Sequence, residues 1–128
     1  MSKYPCEWLR KAREDIKASG ITLDGELPDI AAFHAQQAVE KALKALLVAI
    51  SRRPPKTHDI DYLADQLEKA GIKIPMREEI SSLTLYAVEA RYPGPPISIE
   101  EAEYAYKLAK TFLEIVEREL ENRGIKCS

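Results

Sequence analysis

Six alanines, at positions 31, 35, 38, 42, 45 and 49, recur at alternating spacings of four and three in the segment that opens at Pro28. That period is helical and places all six on one stripe. Val39, Leu43, Leu46 and Ile50 form a bulky stripe beside it. A row of small side chains lets a second helix approach closely, while a bulky row fills a core. The helix they define, from Pro28 to about Ser51, must therefore be central, with partners on more than one side. Pro28 suits its first turn, where a missing N–H costs nothing.

The remaining segments carry the same period, and none sustains a period-two alternation. A first helix is expected from about Pro5 to Ser19, with Leu9, Ala12 and Ile16 inward, Trp8 on the flank and Gly20 as the residue that ends it. After the central helix, Arg52-Arg53-Pro54-Pro55-Lys56 cannot be helical, because consecutive prolines remove donors and restrict the residues before them. A short helix follows from about Asp59 to Ala70, capped by Thr57 or Asp59. A fourth runs from near Pro75 to Arg91-Tyr92, where Pro93-Gly94-Pro95-Pro96 stops it. Ser98-Ile99-Glu100-Glu101 is a capping box for a last helix reaching about Arg123, with Glu103–Lys107 and Glu114–Arg118 as outward pairs. The expectation is an all-α, up-down bundle of four long helices plus one short helix, a single domain over residues 1–128.

Charge is nearly balanced, 19 Lys+Arg against 21 Asp+Glu, which excludes a protein that coats nucleic acid by bulk electrostatics. No apolar run approaches the roughly 18 residues of a membrane span, and the first residues lack the apolar core of a secretory signal. A soluble, cytoplasmic protein is the expectation. Scarce Asn and Gln beside dense charge hint at a heat-adapted source. Two cysteines, Cys6 and Cys127, make neither a disulfide framework nor a zinc site. A bundle could bring them to one pole, but free thiols are expected in a cytoplasmic setting.

Three polar constellations could carry chemistry. His34, Gln37, Lys41 and Lys44 form a stripe on the central helix, either a solvated face or a contact face for phosphate, RNA or a subunit. Arg52, Arg53 and Lys56, followed by His58, either neutralise a helix end or bind an anion. Arg91 and Tyr92 precede a rigid turn, where they either staple that turn or grip a phosphate and stack on a base. A Gly-rich phosphate loop, Cys-x-x-Cys and His-Glu-x-x-His are all absent, and with two histidines no His-rich metal site is expected. Asp15, Glu40 and Glu89 are carboxylates of a kind that every helix surface supplies.

Taken in order, Ala32-Phe33-His34-Ala35-Gln36-Gln37-Ala38-Val39-Glu40-Lys41-Ala42-Leu43-Lys44-Ala45-Leu46, Lys56-Thr57-His58-Asp59-Ile60 and Glu89-Ala90-Arg91-Tyr92-Pro93-Gly94 resemble the HEPN family, the higher-eukaryote and prokaryote nucleotide-binding domain. The resemblance implies a helical bundle that assembles as a homodimer. It also implies a minimal nucleotidyltransferase as partner, in a toxin–antitoxin-like pair. Some members are metal-independent ribonucleases with an arginine followed four to six residues later by a histidine. Here those positions after Arg91 hold Pro96, Ile97 and Ser98, and no histidine follows His58. A metal-free cleavage needs a group that moves protons near neutral pH, so a non-catalytic module is expected. Such a module would bind a nucleotide such as ATP or GTP, RNA, or the partner protein, without a cofactor. Lys41, Lys44, His58, Arg91 and Tyr92 would be the contact residues, with His34, Gln37, Arg53 and Lys56 secondary. A ribonuclease toxin and a purely structural oligomer are the alternatives.

Overall fold

The computed structural model describes residues 4–89 and 92–128, Glu89 through its backbone alone. These form an all-α bundle: α1 (Pro5–Asp24), α2 (Pro28–Ala49), α3 (Ile60–Lys69), α4 (Arg77–Ser81), a 3₁₀ turn (Ser82–Leu85), α5 (Tyr86–Glu89) and α6 (Ile99–Asn122). Among the described residues no helix is long and apolar enough to cross a membrane. The alanine stripe does what its spacing demands. α2 packs against α1, α3, α5 and α6, and Ala31, Ala35, Ala38, Ala42 and Ala45 are fully buried. Leu43, Leu46 and Leu47 join Leu9, Leu63, Leu67, Phe112 and Val116 in the core.

Local signals fix most ends. Asp59 accepts from the Tyr62 N–H at the start of α3, and Ser98 and Glu101 complete the capping box of α6. At the end of α2, Arg52 N–H reaches the Leu47 carbonyl at 2.8 Å while Ser51 turns through a φ of 62°. The same closure ends α1 at Glu26, whose φ is 59°.

Four expectations are corrected. α1 does not end at Ser19 but continues to Asp24, with Gly20 inside it. A Cβ on Gly20 would lie 3.2 Å from the Tyr106 ring, so this glycine makes room for α6 and does not end a helix. The fourth helix is not continuous: it starts at Arg77, because Met76 is left-handed at φ 56°, and it passes through a 3₁₀ turn before α5. Cys6 and Cys127 are not free thiols; they form a disulfide that ties the start of α1 to the segment after α6. Arg13 supports the same junction by donating to the Ser128 carbonyl at 2.8 Å and to Glu117 at 3.0 Å. The outward pairs expected on α6 make no ion pair; Arg123–Glu119 is the pair at the end of that helix.

Candidate functional site: a buried carboxylate behind His58

The loop between α2 and α3 places His58 by ordinary turn chemistry. Pro54 is buried, Thr57 Oγ1 accepts from the Asp59 N–H at 3.1 Å, and Asp59 then caps α3. The loop folds back over α2, where the Gln36 amide donates to the His58 carbonyl at 3.2 Å. That brings the imidazole onto Glu40.

Glu40 is 3% exposed and collects four donors. His58 Nδ1 lies at 2.8 Å, Lys44 Nζ at 2.9 Å, Gln36 Nε2 at 3.2 Å and Gln37 Nε2 at 3.4 Å. Gln37 also donates to Gln36 Oε1 at 2.6 Å, and the Lys44 ammonium sits 5.5 Å from the Trp8 ring centroid. Burial pushes the Glu40 carboxyl up. The bonds from His58, Lys44 and Gln36, with the Lys44 charge, outweigh it and hold the group below its ordinary range. An ionised carboxylate only accepts, so Nδ1 carries a proton and the far nitrogen, Nε2, is the free edge. The His58 side chain is 55% exposed, and among the described residues none bonds Nε2. Neutral, that edge accepts a proton; protonated, it donates to an anion.

A second carboxylate node lies between α1 and α2. Asp15 accepts from His34 Nδ1 at 2.8 Å and from Lys41 Nζ at 2.6 Å. The expected stripe is thus neither a solvated face nor a free contact face. Gln37 and Lys44 are buried on Glu40, and His34 and Lys41 are partly buried on Asp15. A third ionic cluster is signalled by no motif. Arg77 bonds Asp61, Asp65 and Glu68 at once. Arg77 and Ser81 together draw the Asp61 carboxyl down.

Tyr92 is exposed beside a groove of about 460 Å³ lined also by Val88, Pro95, Ile97 and Glu101. Arg91 lies outside the described residues, and so does its separation from His58. Arg53 and Lys56 are exposed on the loop. The structure therefore joins Lys44 with His58 and sends Lys41 with His34 to Asp15. Glu40, the residue on which the first pair depends, is not singled out as a site residue by the sequence. Its signal is a polar cluster, Gln36, Gln37, Glu40 and Lys44, interleaved with core alanines. Among the described residues no group of three or more His, Cys, Asp or Glu side chains could hold a metal ion.

Residues 6–119 match the HEPN domain family. The chain belongs to that family. A relative of this HEPN chain, the candidate toxin MJ1304 of Methanocaldococcus jannaschii, is 30% identical over 97% of this chain and 93% of its own length. Among solved structures, TT1696 from Thermus thermophilus superposes with a TM-score of 0.79 at 30% identity, covering 91% of this chain and 98% of that one. ST0689, an archaeal HEPN homologue, superposes at 0.76 with 21% identity, over 94% and 99% of the two chains. In this HEPN chain the polar motifs of α2 and of the following loop meet at Glu40.

Proposed function

We propose that this chain is the non-catalytic, nucleotide-binding half of a toxin–antitoxin-type module. In this reading it is a homodimer that works with a minimal nucleotidyltransferase. The observation that supports this most is the His58 imidazole, anchored through Nδ1 on a buried, ionised Glu40 and open at Nε2. An imidazole fixed in this way offers one defined hydrogen bond to a phosphate or base edge. A freely rotating surface histidine offers none. The relative described as a candidate toxin supports the module, and the missing histidine after Arg91 supports binding without cleavage. Arg91 would neutralise phosphate and Tyr92 would stack on the base. Lys44 would act through Glu40, since its ammonium is already paired there.

Calorimetric titration with ATP and GTP tests the reading. One of them binds the wild-type protein, and His58→Ala and Arg91→Ala each weaken it by about tenfold or more, the scale of one charge-assisted hydrogen bond. Absence of binding by both nucleotides rejects the assignment.

A second reading has one observation in its favour. A histidine oriented by a carboxylate is also the arrangement of a general base, so a metal-independent ribonuclease would use His58 Nε2 to move the proton. RNA cleaved in the presence of a chelator, with cleavage lost in His58→Ala, would favour it over the first.

A further inference from the structure

We infer that the loop after α2 forms a separate contact for single-stranded RNA, in which Arg52 and Arg53 hold a phosphodiester while an unstacked base lies on Tyr62. The site is a depression of about 150 Å³ lined by Leu47, Arg52, Arg53, Pro55, Tyr62 and Gln66. Its volume is below the roughly 300 Å³ of pockets that enclose a drug-sized ligand, so it admits one ring, with the phosphodiester left to the exposed Arg52 and Arg53, and not a whole triphosphate.

Three observations make this more than a basic helix end. The final carbonyls of α2, on Leu46, Leu47 and Val48, accept from the backbone N–H groups of Ile50, Ser51 and Arg52. The arginine side chains are therefore not needed for capping. Second, Arg10, Arg13, Arg77 and Arg123 each pair with a carboxylate, whereas no described residue pairs with Arg52, Arg53 or Arg118, and of these three Arg52 and Arg53 line the depression together. Third, α3 is divided by charge. Arg77 gathers Asp61, Asp65 and Glu68, while Tyr62 and Gln66, one turn apart, present uncharged groups to the arginines. Tyr62 is 47% exposed, enough ring to cover a base. The buried Pro54 and the left-handed Ser51 fix the loop that carries both guanidiniums. Unpaired Arg beside an exposed aromatic ring is the combination that binds single strands without reading their sequence.

The inference deepens the nucleotide-binding reading by naming a ligand class, and it uses residues separate from His58, so the two can fail separately. The test is fluorescence anisotropy with a fluorescein-labelled octauridylate and the full chain. Wild type binds; Tyr62→Ala weakens binding about tenfold, Tyr62→Phe retains it, and the ring is exposed enough for either variant to fold. Arg52→Ala combined with Arg53→Ala lowers the slope of log affinity against log salt by about 0.7, the value for one phosphate on a single strand. Wild type that fails to bind, or Tyr62→Ala that binds as wild type, overturns the site. Binding lost in His58→Ala but unchanged in these variants overturns it too, while leaving the His58 reading intact. Competition by polyglutamate with a silent Tyr62→Ala would make the patch a dock for acidic protein, and would also overturn it.

Discussion

α2 carries two carboxylate nodes of the same composition and opposite construction. At Asp15 a histidine and a lysine, seven residues apart on α2, converge on an acid from α1; the imidazole is 29% exposed and the node joins two long helices. At Glu40 the acid belongs to α2 itself and is buried, the lysine is one turn away, and the histidine arrives from a loop with 55% of its side chain exposed. The first arrangement holds helices together. The second buries an acid, an ammonium and two amides beneath one solvent-facing ring. Burying charge is a poor way to gain stability compared with apolar packing. The contrast is the reason that the proposed reading rests on Glu40 and not on Asp15.

The comparison can be broken in order of expected effect. Reducing Cys6–Cys127 leaves α1 held by packing, by Asp15 and by the bonds of Arg13 and Ser19. A closed loop of this length contributes about 4–5 kcal/mol by chain entropy, so urea unfolding with and without dithiothreitol should differ on that scale. Replacing Glu40 by Ala leaves the Lys44 ammonium buried without a partner. A loss of about 3–4 kcal/mol is expected in the same measurement, and an additional Lys44→Met should recover much of it. The isosteric Glu40→Gln should lose less stability yet abolish any nucleotide affinity that depends on His58. Asp15→Ala should cost about 2 kcal/mol, because the lysine it leaves behind, Lys41, is closer to water than Lys44, and it should leave that affinity unchanged. If Asp15→Ala proves the more damaging to affinity, the roles assigned to the two nodes are reversed.

pH sharpens the contrast. The folded-state carboxyl of Glu40 titrates below its ordinary value of 4.5. Its contribution to stability is therefore complete above that value and is lost as pH falls through the folded one. Lys44 and His58, the charged and titratable groups facing it, are donors in that range, and Gln36 and Gln37 do not titrate. The stability difference between wild type and Glu40→Gln should begin to shrink as pH falls below the ordinary carboxyl value of 4.5 and vanish only below the lowered folded-state value, which acid unfolding of the two proteins checks. The smallest effect belongs to the α1–α2 turn. Glu26→Gly removes a left-handed non-glycine residue and should raise stability by about 0.5–1 kcal/mol, with no effect on either node.

Much of the bundle can be read from local pattern. The alanine spacing of α2, the Ser98–Glu101 box and the Asp59 cap each act within a few residues, and the structure reproduces them. The errors have long-range causes. Gly20 has the local signature of a helix stop, but what it accommodates is Tyr106, 86 positions later in the chain. The fourth helix has adequate periodicity, yet Met76 adopts a left-handed conformation and Arg77 is drawn to three acids on α3. Glu40 and Asp15 look like any acid on a helix until the His58 loop meets Glu40 and α2 brings His34 and Lys41 to Asp15. Lys41 and Lys44, only three residues apart, share one stripe by spacing, whereas the structure commits them to different acids. The deciding information is which neighbouring element covers each side.

The bond between Cys6 and Cys127 has a practical consequence. It encloses nearly every residue in a covalent ring, so a protease that cuts any one peptide bond between these positions opens the ring without dividing the molecule. A nicked protein would keep its mass on a non-reducing gel and separate into two pieces only when thiol is added. Fragments that remain folded after such a cut would identify the segments whose backbone continuity the bundle does not require.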